Sequence, residues 1–200
     1  MRPLLILDCD EVILRFAAPF REWLHDEHGL HLRFDSFALV GNIRHADGSV
    51  VESARFPALL DGFFATGQPR QAPAEGAVEA IRALGTDMDI AVLTNIPAAY
   101  RDIRVQVLEG LGLDLPVHAN DGPKGRVVRD LAGERPAVFV DDLPPHHSSV
   151  AKHAPGVGRL HMVADTELRA LIPAAPDAHA RHDAWPEAES WIRNWMEKRA

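Results

Sequence analysis

Two carboxylates, Asp8 and Asp10, are separated only by Cys9 and follow directly on the apolar run Leu4-Leu5-Ile6-Leu7. Acids so placed both face the crevice beyond the carboxyl end of a strand, where open α/β sheets bind their ligands. A turn with two solvated acids is the ordinary alternative. The placement recurs three times. Thr94 and Asn95 follow Ala91-Val92-Leu93, where a hydroxyl and its neighbouring amides can donate to phosphoryl oxygens or simply cap the next helix. Lys124, in Asp121-Gly122-Pro123-Lys124-Gly125, opens a helix and offers a cation to an anion at the strand ends, unless it is a common surface lysine. Asp141 and Asp142 follow Val138-Phe139-Val140. Adjacent carboxylates held close repel each other unless a cation lies between them, and hard oxygen ligands at a phosphate site point to Mg2+. An acid pair, a hydroxyl, a lysine and a second acid pair are the parts that phosphoryl transfer requires.

The elements that would hold these residues are legible in the hydrophobic pattern. Leu4–Leu7, Ile90–Leu93, Ala137–Val140 and Leu160–Val163 are continuous apolar runs, as expected of strands buried on both faces, and Leu115–His118 is a weaker fifth. Helical faces lie between them: Ala77, Ile81 and Leu84; Tyr100, Ile103, Val107 and Leu111; Val127, Val128 and Leu131. Alternating strands and helices predict an α/β fold with a doubly wound parallel sheet. Residues 14–73 are too long for a simple crossover. They hold one amphipathic helix with Pro19 in its first turn, Phe16, Phe20, Trp23 and Leu24 on one face and Gly29 at its end. A second apolar patch is Phe56, Leu59, Leu60, Phe63 and Phe64. The segment reads as a mostly helical insertion whose aromatics form its own small core. Residues 173–182 read as a loop, and Ala188, Trp191, Ile192, Trp195 and Met196 as one face of a docking helix with its tryptophans in the core.

The order Asp-x-Asp, Thr, Lys, Asp-Asp, each after an apolar strand, resembles the haloacid dehalogenase-like (HAD) superfamily. The matching residues are Asp8-Cys9-Asp10-Glu11-Val12, Leu93-Thr94-Asn95, Lys124 and Asp141-Asp142, and the resemblance covers residues 3 to about 163. It implies a HAD-like Rossmannoid core of residues 1–13 and 74–200, with residues 14–73 as a small helical cap inserted after the first strand. It further implies a Mg2+-dependent phosphohydrolase. Asp8 would be the nucleophile, forming an acyl phosphate, and Asp10 the acid and base. Asp8, the Asp10 carbonyl and Asp142 would be metal ligands, with Asp141 beside them or behind. Cys9, Asp10, Thr94, Asn95 and Lys124 would surround the phosphoryl group. Glu11 stands where Gly is common, either to tune substrate choice or to point away. Dehalogenating members lack an acid two residues after the first, so Asp10 and the Asp141-Asp142 pair argue against dehalogenation. Transfer to a second hydroxyl, as in sugar-phosphate mutases, and a non-catalytic phosphate-binding domain are the alternatives.

Substrate identity is fainter. The short cap, Gly62-Phe63-Phe64, Ala74-Glu75-Gly76-Ala77 and the Trp-containing last helix resemble 5'(3')-deoxyribonucleotidases, which would make the substrate a nucleoside monophosphate; Phe16, Phe20 and Arg44 are the cap residues to examine for base or sugar contact, with cap core or a solvated charge as the alternative for each. The partner expected is therefore a small phosphorylated metabolite. A formal net charge of -8 argues against gripping a nucleic acid polymer. No apolar run reaches the ~20 residues of a membrane span, and the first apolar stretch ends at Asp8. Cys9 is the only cysteine, so no disulfide forms within the chain; the expectation is a cytoplasmic protein. His25, His28, His31, His146 and His147 lack a zinc-ligand pattern and read as surface or packing residues, with His146 or His147 near the rim of the site.

Overall fold

In the computed structural model, which describes residues 1–199, the run Leu4–Leu7 becomes β1, with all four side chains buried. The alternation of a strand sends Leu5 and Leu7 to one face and Leu4 and Ile6 to the other. Each pair enters a different apolar layer, so both faces must be covered and no polar residue is tolerated. The chain continues through α1 (Ala17–His28), β2 (His31–Leu32), β3 (Ile43–Arg44), α2 (Phe56–Gly62), α3 (Ala77–Gly85) and β4 (Asp89–Thr94). Then come α4 (Arg101–Gly110), β5 (Val117–Ala119), α5 (Gly125–Ala132), β6 (Ala137–Asp141), α6 (Pro144–His153), β7 (Gly158–His161), α7 (Thr166–Leu171), β8 (Ala180–Arg181) and α8 (Trp185–Glu197).

The six strands of the main sheet are all parallel, in the order β5-β4-β1-β6-β7-β8. The chain builds outward from β1 to β4 and β5, then crosses back to place β6 on the other side of β1. That reversal makes the carboxyl ends of β1, β4 and β6 a topological switch point. Ile81 of α3 and Ile192 and Met196 of α8 pack with Leu5 and Leu7, whereas Val128 of α5 and Val150 of α6 pack with Leu4 and Ile6. The fold is thus the doubly wound α/β architecture expected. α5 and α6 touch so closely that a Cβ on Gly125 would collide with the Ser149 carbonyl. This approach seats Lys124 at the helix start with no solvent exposure. Among the described residues no helix is long and apolar enough to cross a membrane.

Four details differ from the sequence reading. β7 begins two residues before the expected Leu160, because Arg159 satisfies its guanidinium on the carbonyls of Pro155, Val157 and Asp177 and so fits a strand despite its charge. The tail read as a loop contributes the two-residue edge strand β8. α4 buries Arg104 and Leu108 most deeply, and Tyr100, Ile103, Val107 and Leu111 flank them half-buried. In α8, Trp185, Ala188, Ile192 and Met196 are buried, while Trp191 and Trp195 stack on each other only partly covered, with Arg199 over the Trp195 ring.

The segment after β1 leaves and returns through adjacent residues. Arg15 N–H donates to Ala72 O and Ala74 N–H to Ile13 O, so Leu14 and Pro73 face each other across an antiparallel bridge. Between them, Phe16, Phe20, Trp23 and Leu24 of the α1 region pack on Leu59, Phe63 and Phe64 in an apolar cluster of their own, joined from below by Ile96. The Phe63 ring centre lies 5.2 Å from both Phe16 and Phe20, a spacing at which aromatic pairs attract. Gly29 ends α1 at φ 63°, the left-handed cap that glycine adopts without strain. The segment also contains the β2–β3 hairpin, which its polar sequence had concealed.

Candidate active site

Asp8 lies one residue past β1, beside the end of β6. Asp8, Asp141 and Asp142 are buried, and each offers a carboxylate oxygen within 4.8 Å of the others. Lys124 Nζ sits 2.9 Å from Asp8 Oδ1 and 2.7 Å from Asp141 Oδ2. One ammonium thus faces three buried acids. Burial, the nearby Asp141 and Asp10 charges and the opposing pull of Lys124 together leave the Asp8 carboxyl pushed up to about 7. Burial and the Asp141 and Asp8 charges hold Asp142 well above the usual carboxylate range. For Asp141 burial is the largest single effect and acts upward, but Lys124 with His146 and His147 together outweigh it and the carboxyl is lowered. Lys124 is desolvated, yet its two carboxylates raise it and keep it charged.

The two acids of the second pair are engaged differently. Asp141 spends Oδ2 on Lys124 and accepts the Leu143 N–H at Oδ1. Among the described residues no donor reaches the Asp142 carboxylate. Their main chain is clamped by His147, which the sequence placed among surface or packing residues near the rim, and by His161, to which it assigned no role. His147 and His146 are in fact buried. His147 Nε2 lies 3.0 Å from Asp141 O and His161 Nε2 2.8 Å from Asp142 O. Because His161 Nδ1 accepts the Ala175 N–H, its Nε2 carries the donated proton. Burial pushes His147 down to about 4, so it is neutral near pH 7.

Thr94, at the end of β4, is 1% exposed, and its hydroxyl has no partner among the described residues. A buried orphan hydroxyl is costly, and here it stands at the strand end next to Asp8. Asn95 follows it at the rim, bonded to Gly122 O and Asn120. Asp10 is held from two sides: Arg104 Nη1 and Nη2 reach its two oxygens at 2.9 and 3.2 Å, and Gln71 Nε2 reaches Oδ1 at 2.7 Å. Sequence reasoning missed Arg104 because it occupies an apolar helix face; a cation at the centre of such a face was the available signal.

The structure gives Cys9 a different place from the one expected and selects one of the two alternatives for Glu11. Cys9 points its thiol into the core against Arg104 Nη1 at 3.2 Å, and burial pushes that thiol up to about 12. Only its backbone serves the site, its N–H donating to Asp8 Oδ1 at 2.7 Å. Glu11 points away from the acids. Its carboxylate accepts the N–H groups of Phe16 and Ala17, opening α1, and of Asp165. Glu11 adopts φ 60°, the left-handed conformation that favours glycine. The capping bonds offset that strain of roughly 1–2 kcal/mol. Of the residues suggested for base or sugar contact, Phe16 and Phe20 lie in the aromatic cluster, and Arg44 pairs with Asp35 at 2.9 Å.

No protein-family model and no curated protein matches the chain. Solved structures do. A haloacid dehalogenase-like family hydrolase from Streptococcus pneumoniae superposes with a TM-score of 0.64 at 9% identity, over 94% of this chain and 97% of that one. The magnesium-bound HAD-hydrolase YfnB from Bacillus subtilis gives 0.63 at 14% identity, over 96% and 99%. A phospho-aspartyl intermediate analogue of phosphoserine phosphatase gives 0.58 at 18% identity, over 96% and 99%. At these identities the likeness establishes a common fold.

Proposed function

We propose that this chain, which has the fold of the haloacid dehalogenase-like hydrolases, is a Mg2+-dependent phosphatase of small phosphate monoesters, with Asp8 as its nucleophile. The observation that carries the reading is the cluster of Asp8, Asp141 and Asp142, buried within 4.8 Å of one another and balanced by a single lysine. Buried like charges at that spacing call for a divalent cation, and an all-oxygen donor set suits Mg2+. Asp8 and Asp142 would hold it with the Asp10 carbonyl. Asp142 is the better direct ligand of the acid pair, since Asp141 is already committed to Lys124 and the Leu143 amide. The metal, when bound, would offset the repulsion between carboxylate and anionic phosphate.

Every other part of the reaction falls to the chain. An Asp8 oxygen attacks phosphorus, and the bond to the ester oxygen breaks as Asp10 supplies that oxygen with a proton. Asp10 then takes a proton from water, whose oxygen attacks the acyl phosphate and releases Asp8 and inorganic phosphate. Lys124 and the unpartnered Thr94 hydroxyl donate to the phosphoryl oxygens, where charge develops. Residues 14–73 act as a cap over the site, keep bulk water out and read the leaving group. Nucleoside monophosphates belong among the candidate substrates.

The test is phosphate release from a panel of deoxynucleotides, ribonucleotides, sugar phosphates and phosphoglycolate, with Mg2+ and with chelator. Mg2+-dependent release that Asp8→Asn abolishes supports the reading. Native rates in Asp8→Asn, or no release from any ester by the folded, metal-loaded protein, overturn it.

A further inference from the structure

A crevice of about 530 Å3 lies beside Asn95, between α2 of the inserted segment and the loops that follow β4 and β5. Asn95 is the residue after Thr94, so the crevice begins where the proposed phosphoryl site ends. Its walls carry the chemistry a leaving group would meet. Leu60, Phe64 and Ile96 form an apolar floor, and Asp61 and Asp121 are the only charged groups among its lining residues. No lysine, arginine or histidine lines it. Asp61 takes a hydrogen bond from the Tyr100 hydroxyl at 2.9 Å, and neither carboxylate has a cationic partner among the described residues.

The polar groups of the crevice are biased the same way. Asn120 gives its amide hydrogens to Asn95 Oδ1 and Gly122 O, and Asn95 also donates to Gly122 O. The side-chain amide hydrogens of the crevice are thus largely spent. A carboxylate or second phosphate entering here would meet two like charges and find no cationic side chain. A neutral group with an apolar face, or an ammonium, would meet an apolar floor, oxygen acceptors and compensating charge.

Resting on the phosphatase reading above, we propose that the site selects monoesters whose leaving group is uncharged or cationic with an apolar face, and rejects those whose leaving group is anionic. Asp61 and Asp121 are the residues that set this preference. Nucleosides are leaving groups of the accepted kind, whereas glycolate is of the rejected kind.

The experiment compares kcat/KM of the Mg2+-loaded protein on three esters with one ring: phenyl phosphate, 4-(aminomethyl)phenyl phosphate and 4-carboxyphenyl phosphate. The carboxylate ester should be slower than the phenyl ester by about ten-fold or more, and the ammonium ester at least as fast. In Asp61→Asn and Asp121→Asn, each checked for folding by thermal melting, the ratio between the cationic and anionic esters should shrink. Equal turnover of all three esters, or a ratio unmoved in both folded variants, overturns the proposal while leaving the phosphatase reading intact. No phosphate release from any of the three overturns this proposal, and the nucleotide and sugar-phosphate panel decides separately whether the phosphatase reading falls with it.

Discussion

Arg104 and Asp10 form a two-point ion pair in which the guanidinium has no solvent exposure. Burial alone would lower Arg104, but the charge and hydrogen bonds of Asp10 together with the contact to Cys9 reverse this and hold the guanidinium above its ordinary value. The same nitrogen that meets Asp10 Oδ1 also touches Cys9 Sγ. One side chain from α4 therefore fixes the two residues that follow Asp8.

Removing the cation leaves Asp10, half-buried beside Asp8, with only Gln71. Arg104→Met should cost about 3–5 kcal/mol, the usual penalty for halving a buried pair, read as a shift of the urea midpoint. Arg104→Lys should recover much of that stability but not the second contact to Asp10, and kcat should remain depressed with KM little changed. A Lys variant with full kcat would show that Arg104 serves the fold alone.

Asp8 and Asp142 have raised carboxyl values in the fold, so the metal-free folded state prefers them protonated. The contribution of Asp8 to stability is present below the unfolded value near 4 and is lost as pH rises toward about 7, and that of Asp142 is lost in the same direction. The melting temperature of Asp8→Asn minus that of the wild type, both without metal, should therefore grow from about pH 5 to about pH 8. Over the same interval the wild type should gain more from added Mg2+, since binding requires the carboxylates. A difference that stays flat with pH would contradict the raised Asp8 value.

His147 has the opposite slope. Its folded value near 4 lies below the ordinary 6.5, so protonation favours the unfolded chain. Stability should fall as pH drops from about 6.5 to 4, by about 3 kcal/mol in all. His147→Gln keeps a donor for Asp141 O without a titrating ring and should show a shallower decline in denaturation midpoint across that window. Parallel curves for the two proteins would place the acid sensitivity elsewhere.

The strands that carry the acids were readable because each is buried on both faces and so is written in unbroken apolar residues, as Leu4–Leu7 is. The elements that escaped have no such requirement. β8 is a two-residue edge, β2 and β3 form a short hairpin beside polar loops, and Arg159 satisfies its charge on backbone carbonyls inside β7. At the site, residue type and strand-end position were enough to indicate Asp8, Thr94, Lys124 and the Asp141-Asp142 pair. Arg104 was not visible because its partner, Asp10, lies 94 residues away and only the fold brings them together. The roles of His147 and His161 were hidden for a related reason: they act on the carbonyls of Asp141 and Asp142, and a backbone contact leaves no trace in residue identity. Glu11 shows the reverse, a position where the backbone conformation favours glycine and the side chain found other employment.

The bridge between Leu14 and Pro73 has a further consequence. Because the intervening residues depart and return side by side, the sheet sees a closed junction whatever lies beyond it. The entropy of closing such a loop changes only slowly with its length. A shorter, longer or unrelated segment spliced at these two positions would leave the strand ends in register, while the hold of Gln71 on Asp10 would have to be supplied anew. The inserted segment can therefore be exchanged through one junction in the main chain, provided that its side-chain contacts with Asp10, Glu11 and Ile96 are rebuilt.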